Sequence, residues 1–522
     1  MPWLAVLLAV SPIVVIFVLI AFLKRAADTA GVLGWVFTLA VAILYFKTSP
    51  RVCLTASAAG VVASLPITLM VAASLFQMGV MLECGAVARL VATLKGLARE
   101  DRVAQILIIN VGFGTLLTAL GATPVSILPP IMLALGYSSF VAIALPALGY
   151  DALCTYALLG IPVVVYGGFT GLEPNEAGRF FARYMPAIST AIAFGMLYLV
   201  GKFKLMVRGA VPTLVAGLTA GFVAVGMNRL GLTTLTGVAA GAAVVLAMVA
   251  YVAVRGRKVY DAGEPTTADV AARGRMSLAA AISPWLILVA AAALANTPAL
   301  PFFGFLFERL AMPVEIIPGA PTKIRFFWQA YFWVTVATFL ALPFLKPTGE
   351  EFGRAVRKWA RRMWRPALAA GVYFAIAYVI NHSGKVTTAE GWILPGDERN
   401  MVHVLAHAAA STFGDFYGLG APFLGLLGGF ISGSETSSIA MLTHLHLDTA
   451  AAAEKIRAVG LIWAAASGIG GGLASVISPA KLQNAAAIID AIGEEGRVLR
   501  KTVFISLVIT GLCALMTLLW TA

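Results

Sequence analysis

Gly425 to Met441 reads GLLGGFISGSETSSIAM and places a polar run inside an otherwise apolar segment. Gly433 to Ser438 are small or polar, whereas Phe423 to Phe430 before them and Ile439 to Leu442 after them are mainly apolar. Hydrocarbon cannot satisfy free backbone or hydroxyl groups, so a non-helical turn at membrane depth persists only inside protein or beside a water-filled cavity. We therefore interpret this stretch as a re-entrant turn that forms part of a substrate site.

The composition of the 522-residue chain is that of a membrane protein. The hydrophobic content is 60%, the mean hydropathy is +0.92 and only 12% of residues are charged, whereas soluble proteins carry about 25% charged residues. Roughly a dozen apolar runs approach the length of about 20 residues that crosses a bilayer. The predicted fold is all-α, a polytopic membrane protein with about 12 transmembrane helices.

The basic character of the chain does not indicate a nucleic-acid partner. The net charge is +13, but the basic residues lie in short loops between apolar runs, where the positive-inside rule places them. The strongest cytoplasmic marker is Lys346–Arg365, with seven basic and two acidic residues. Four scattered cysteines show neither disulfide nor metal spacing, and no cofactor is predicted.

A polar linker divides the chain almost in half. We predict an N-terminal membrane half at residues 1–254, a flexible cytoplasmic linker at 255–277 and a C-terminal membrane half at 278–522. The prediction also includes one span over Val52–Leu75, an amphipathic interfacial helix over Arg89–Arg102 and a polar loop over Glu173–Arg183.

Interrupted segments occur in the same order in both halves. Gly121–Ile127 precedes a broken run that contains Asp151 and Gly160-Ile161-Pro162. Gly433–Ile439 precedes a broken run that contains Gly468–Gly472 and Ile477-Ser478-Pro479. Paired interruptions by Gly and Pro are the best sequence indication of inverted repeats, with re-entrant hairpins and broken helices around a transporter site at the bilayer midplane.

Such breaks favour an anionic substrate. A helix that begins within the membrane directs free N–H groups and its positive dipole end towards the site, and hydroxyl groups add further donors. The predicted substrate-binding residues are Thr123, Ser126, Gly433, Ser434, Thr436, Ser437, Ser438 and Ser478.

Glu435 and Asp151 are the predicted proton-coupling residues, because buried acids in membrane segments are usually paired, protonated or functional. The structural alternative for Glu435 is that it caps the re-entrant turn. A second functional alternative is that it is a ligand for a coupling cation. Lys481 could attract an anion or extend to the surface, and both readings stay open.

The histidines offer only a weak metal site. His403 and His407 stand one helical turn apart, but no third ligand motif accompanies them, so no metal is predicted. His444 and His446 follow the turn, and we expect them at its aqueous edge.

The chain resembles the bacterial L-lactate permease family of proton-coupled 2-hydroxymonocarboxylate transporters. The likeness covers roughly residues 100 to 510 and rests mainly on Gly433-Ser-Glu-Thr-Ser-Ser438, Pro422–Phe430 and Gly470-Gly-Gly with Ile477-Ser-Pro479. It departs from the family pattern at Glu435, where the family usually has Asp, and at Ile439, where it usually has Asn. The first-half stretch Leu116–Pro124 also lacks the family's acid.

The resemblance implies a non-enzymatic permease of the bacterial inner membrane, embedded in lipid, that takes up lactate or glycolate with a proton. One alternative is another anion on the same scaffold, such as a dicarboxylate or a sulfonate, with sodium as a further candidate for the coupling ion. The alternatives from other classes are a metal-dependent membrane enzyme and a structural subunit. The sequence is compatible with a homo-oligomer but does not determine the oligomeric state.

Overall fold

A computed structural model describes residues 3–23, 25–261, 266–296, 300–388, 391–491 and 493–521. The described chain is almost entirely helical. The helices before the linker are α1 Trp3–Ala21, α2 Ala27–Leu44, α3 Pro50–Ala63, α4 Leu65–Glu83, α5 Ala86–Leu94, α6 Arg102–Ile106, α7 Gly114–Ala119, α8 Pro124–Ala134, α9 Ser139–Asp151, α10 Ala157–Thr170, α11 Pro174–Ala182, α12 Met185–Arg208, α13 Ala210–Arg229 and α14 Thr236–Val254.

The second part of the chain continues the helical pattern. Its helices are α15 Thr267–Arg275, α16 Leu278–Asn296, α17 Pro301–Gly304, α18 Ala330–Leu345, α19 Gly349–Arg362, α20 Trp364–Asn381, α21 Met401–Phe413, α22 Tyr417–Ser432, α23 Glu435–Ala452, α24 Arg457–Leu473, α25 Pro479–Ile488 and α26 Glu495–Thr521. Two antiparallel hairpins are the exceptions, formed by β1 Met312–Ile317 with β2 Ala320–Ile324 and by β3 Val386–Thr388 with β4 Gly391–Ile393.

Short turns of other helical types join these elements. Leu107–Phe113 is a π-helical stretch between α6 and α7, and Phe305–Arg309 is a second one. The 3₁₀ turns are Cys154–Tyr156, Thr233–Leu235, Asp397–Arg399, Gly414–Phe416 and Ser475–Ile477.

The helices form a multi-pass membrane protein. In the described residues, nine helices are long and apolar enough to cross a membrane, and the bent pair Ser139–Asp151 and Cys154–Thr170, which turns by 68°, would make ten. Four shorter apolar helices accompany them, and the predicted class, an all-α polytopic membrane protein, is confirmed. Large apolar side chains such as Leu246, Phe222 and Val508 are exposed, as lipid-facing positions are in a membrane protein.

The structure corrects several sequence-based boundaries. Glu173–Arg183 is not a loop, because α11 forms there and buries Ala177 and Phe181. The single span predicted over Val52–Leu75 is divided at Ser64 between α3 and α4, and Pro66 occupies the first turn of α4, where its missing N–H is tolerated. The interfacial helix predicted over Arg89–Arg102 ends at Leu94.

The linker between the halves is docked in its described part. Asp269 of α15 accepts a hydrogen bond from Lys95 at 2.9 Å, and Arg275 pairs with Glu351 of α19 at 2.7 Å. We predicted a flexible connector, but charged side chains hold α15 against α5 and α19. The alternating signs of charge in this segment form ion pairs with neighbouring elements.

In the C-terminal half, α24 is buried along most of its length. Every residue from Gly460 to Leu473 of α24 is buried. Glycines allow this helix to approach α22, because a Cβ atom at Gly425 would collide with the backbone carbonyl of Ser467, and one at Gly470 with that of Pro422. Small residues permit such backbone contact between membrane helices, and the approach holds the α22–α23 turn beside the break after α24.

Candidate functional site

The polar stretch that interrupts the C-terminal half forms a sharp turn between two helices. α22 ends at Ser432, and Gly433 has φ +69°, a left-handed conformation that glycine adopts without the penalty of a Cβ atom. Ser434 is the N-cap of α23, and its hydroxyl accepts the backbone N–H of Ser437 at 3.3 Å. The predicted break is therefore confirmed, and it places Glu435 at the first position of a helix.

The Glu435 carboxyl is enclosed by residues from both halves of the chain. The side chain is buried, and Oε1 accepts a hydrogen bond from Thr155 Oγ1 at 2.7 Å. The other oxygen, Oε2, has no hydrogen-bond partner among the described residues. It lies so close to Gly472 of α24 that a Cβ atom there would stand 2.6 Å away. Glu435 therefore links the two halves and keeps one oxygen available.

Asp151 makes the reciprocal connection at the end of α9. Its Oδ2 atom accepts the backbone N–H of Val476 at 3.3 Å, within the 3₁₀ turn of the C-terminal half. Its Oδ1 atom has no partner among the described residues. Each acid thus lies at a helix break of its own half and contacts the break or the flanking turn of the other.

The two broken segments have the same order of parts. α9, the 3₁₀ turn Cys154–Tyr156 and α10 form the first, and α24, the 3₁₀ turn Ser475–Ile477 and α25 form the second. The start of α10 is strained, because Leu158 and Leu159 have φ values of +54° and +56°, where non-glycine residues are uncommon. Strain of this kind concentrates at functional sites.

A lysine lies beside the two acids. Lys481 Nζ donates to Ser475 Oγ at 2.7 Å and lies 3.9 Å from the centre of the Tyr150 ring. The ammonium interacts electrostatically with both carboxyls. Placing two buried acids and a half-buried lysine together in a membrane protein is costly, and such clusters usually mark substrate or ion pathways.

The predicted hydroxyl residues of the C-terminal half have different environments. Thr436, Ser437 and Ser478 are buried around the turn, and Ser478 Oγ would lie 3.5 Å from a Cβ atom at Gly433. Ser438 instead donates to the carbonyl of Gly425 at 3.0 Å, which ties α23 to α22. That bond occupies its hydroxyl hydrogen, so Ser438 is placed as a structural contact between helices.

The first-half turn is present but does not face the second directly. Gly121 has φ +85° and lies against Ser74 and Leu158. Thr123 is the N-cap of α8 and makes no side-chain cap bond, while the side chain of Ser126 lies outside the described residues. α8 packs against α25, the helix that carries Lys481. The two turns are therefore connected through α25.

The histidines lie away from this cluster. His446 is fully buried and its Nδ1 atom is 2.8 Å from the Tyr417 hydroxyl, so its predicted place at an aqueous edge is wrong. His403 is near Asp397 and Asp448. The described residues contain no group of three or more His, Cys, Asp or Glu side chains that could hold a metal ion.

Sequence reasoning missed the partners that complete the cluster. Thr155 donates to an acid 280 positions away in the sequence, and Tyr150 contributes the ring under Lys481. Tyr150 directly precedes Asp151 and Thr155 lies four residues after it, so their position in an interrupted run was the available signal. For Lys481 the signal was a cation two residues after a Ser-Pro break.

Comparison with known proteins places the whole chain in one group. A family model described as L-lactate permease matches residues 5–522. The L-lactate permease of Salmonella typhimurium (strain LT2) is 25% identical, with 99% of this chain and 96% of that protein covered. The glycolate permease GlcA of Escherichia coli (strain K12) is 25% identical, with 99% and 95% covered. The L-lactate permease of Bacillus subtilis (strain 168) is 24% identical, with 99% and 96% covered.

Proposed function

The chain belongs to the L-lactate permease family, and from that premise we propose that it is a secondary active transporter for a small organic anion. The substrate we propose is a 2-hydroxymonocarboxylate of the lactate or glycolate type, taken up together with protons across the bacterial cytoplasmic membrane. Relatives named for lactate and for glycolate support this substrate class.

The observation that carries the proposal is the buried pair of acids between the two broken segments. Glu435 and Asp151 each contact the opposite half and each keep one oxygen without a partner among the described residues. An ionised carboxylate is costly in a membrane interior unless it is paired or neutralised. Both acids are therefore suited to bind and release protons as the site opens to either side.

The proposed mechanism combines anion binding with proton binding. The N-terminus of α23, with the hydroxyls of Ser434, Thr436 and Ser437, would hold the substrate carboxylate. Glu435 or Asp151 would take the coupled proton, which keeps the moving site close to neutral. Rocking of one inverted repeat against the other would then alternate access to the site.

Two alternatives differ in a measurable way. The same scaffold could carry another anion, such as a dicarboxylate or a sulfonate, and could use sodium as its coupling ion. An enzymatic role would need a reaction centre in addition to the transport site, and a metal-dependent one would need a ligand cluster.

Reconstituted protein tests the proposal directly. Purified protein in proteoliposomes is given labelled lactate, glycolate and a dicarboxylate under proton and sodium gradients imposed separately. We expect uphill uptake of lactate and glycolate with the proton gradient alone. Uptake that requires sodium at constant pH would support the alternative coupling, and absence of lactate and glycolate uptake would refute the substrate assignment.

A further inference from the structure

Lys481 is a half-buried cation near the two acids, and within the described residues it has no direct acidic partner. It occupies the first turn of α25, directly after the 3₁₀ turn of the broken segment. Its ammonium contacts the Ser475 hydroxyl and the Tyr150 ring. Within the described part of the chain, no carboxylate oxygen lies within 4.0 Å of it, the limit for an ion pair.

The half-buried side chain of Lys481 directs its ammonium towards a buried hydroxyl. A lysine near a helix end in a membrane usually extends its charged end to the interface. Lys481 Nζ instead bonds to Ser475, which is buried. Its hydroxyl partner and ring partner together satisfy the ammonium less well than a carboxylate would, because an ammonium has three donors and a full charge.

Several titratable groups surround the ammonium of Lys481, and two of their oxygens have no hydrogen-bond partner among the described residues. Asp151 and Glu435 interact with it electrostatically, and the Cys154 thiol and the Tyr150 phenol are the other titratable groups nearby. The free oxygens Asp151 Oδ1 and Glu435 Oε2 have no hydrogen-bond partner in the described residues. The ammonium and two carboxylates that each keep one oxygen without a described partner thus belong to one electrostatically coupled cluster.

From this geometry we infer that Lys481 binds the carboxylate of the transported anion and that the bound anion replaces the two buried acids as the main counter-charge of the ammonium. The inference rests on the proposed function and adds a specific anion-binding residue to it. The N-terminus of α25 lies beside the same position and adds a favourable dipole.

Charge balance gives the inference a stoichiometric consequence. With one of the two acids protonated, Lys481 and the remaining carboxylate leave the empty site neutral. An arriving anion adds one negative charge, and one further proton on the remaining carboxylate restores neutrality. Because net charge is costly in the membrane interior, the favoured loaded state carries one proton for each anion.

The experiment compares variants of the full-length protein in proteoliposomes by the KM for lactate uptake. Lys481→Met should raise KM roughly 10- to 100-fold, the loss expected of a hydrogen bond between charged groups. Lys481→Arg, which keeps the charge, should recover most of the affinity. Lys501→Met is the matched control, because Lys501 also lies over an aromatic ring, that of Phe140 at 5.0 Å, but is exposed, and its KM should be unchanged.

A charge-balanced double variant separates binding from folding. Lys481→Met combined with Asp151→Asn removes one charge of each sign, so its melting temperature should be close to that of the unmodified protein. We expect lactate to cause no rise in the melting temperature of this double variant. A rise as large as that of the unmodified protein, or a change in KM below about twofold in Lys481→Met, would show that the lysine only balances charge and would overturn the inference.

A binding measurement distinguishes failure of this inference from failure of the proposed function. The measurement is the rise in melting temperature that each of four anions causes in the unmodified protein and in Lys481→Met. The anions are lactate, glycolate, succinate and a sulfonate. If lactate and glycolate are not transported but another anion stabilises the protein, only the substrate assignment fails, and Lys481→Met must still abolish that stabilisation. If none of these anions stabilises the unmodified protein, the anion site at Lys481 is refuted.

Discussion

Glu435 and Asp151 each use one carboxylate oxygen for a contact between the halves and leave the other without a partner among the described residues. A buried acid that served only as a helix cap would be expected to satisfy both oxygens, because an unsatisfied buried acceptor is costly. The free oxygens therefore favour a functional role for both acids.

The first prediction concerns the charge of Glu435. Glu435→Gln keeps the shape and the Thr155 contact but cannot exchange a proton. We expect uphill uptake driven by a proton gradient to fall to the background level, measured with labelled lactate in proteoliposomes. Glu398→Gln is the control, because Glu398 is exposed and should leave uptake unchanged. Uptake of Glu435→Gln that still follows the pH gradient would remove Glu435 from the coupling pathway.

At the scale of elements, the close approach of α22 and α24 sets the position of the site. Gly425, Gly429 and Gly470 each lie where a Cβ atom would overlap the backbone of the opposite helix. The contact brings the α22–α23 turn next to Gly472, which faces Glu435. A change in this packing should therefore alter both stability and the geometry around the acid.

The second prediction tests this packing with one added methyl group. Gly425→Ala should destabilise the protein by about 3 kcal/mol or more, at the upper end of overpacking costs, because the methyl group meets a backbone carbonyl rather than a movable side chain. The measurement is the melting temperature of the purified protein. Gly420→Ala in the same helix meets nothing within 4 Å and should not lower it. Equal melting temperatures for the two variants would contradict the packing argument.

The third prediction concerns the docking of α15. Partial burial acts to raise the pKa of Asp269, but hydrogen bonds from Lys95 and Thr266 outweigh it, so its pKa lies below the ordinary value. A lowered folded-state pKa contributes stability above the unfolded pKa, about 3.9, and that contribution is lost as the pH falls through the folded value.

Hydrogen exchange of residues 267–275 measures this docking. After correction for intrinsic rates, exchange should increase as the pH falls below about 4. Asp269→Asn should show faster exchange already at pH 7 and little further change on acidification. Asp397→Asn, at an exposed acid, is the control and should behave as the unmodified protein does. Exchange that is independent of pH in the unmodified protein would contradict the role of Asp269.

At the scale of the whole molecule, charged contacts gather at one end of the helices. Arg275 with Glu351, Arg354 with Glu83 and Lys95 with Asp269 join α4, α5, α15 and α19. α16 leads from this end to the β1–β2 hairpin, and α18 returns from it. We therefore expect the basic residues of α19 on one side of the membrane and the hairpin on the other, with α19 on the cytoplasmic side by the positive-inside rule.

The fourth prediction fixes this orientation by labelling. Arg357→Cys on α19 and Lys323→Cys on β2 each introduce an exposed thiol, whereas the four native cysteines are buried. A membrane-impermeant maleimide added to intact cells should label position 323 and not position 357. After the membrane is permeabilised, both should be labelled. The reverse pattern in intact cells would invert the orientation.

Much of the architecture was predictable because it depends on local chemistry. The sequence alone determined the membrane class, the positions of the breaks at Gly121 and Gly433 and the likeness to the permease family, since hydropathy, glycine conformation and motifs are properties of short stretches. Local patterns also misled at Glu173–Arg183 and His446, where tertiary packing supplied partners that the sequence does not reveal. The division into inverted repeats and the substrate-binding residues stay predictions.

Only the tertiary structure decided which residues meet. Thr155 and Glu435 are 280 positions apart, and Asp151 reaches a backbone N–H in the other half. It also decided that Lys481 turns inwards, which the sequence left balanced against a surface position. The physical reason is that helix periodicity and turn chemistry act over a few residues, whereas the charge balance of a buried site depends on side chains brought together by the packing of distant helices.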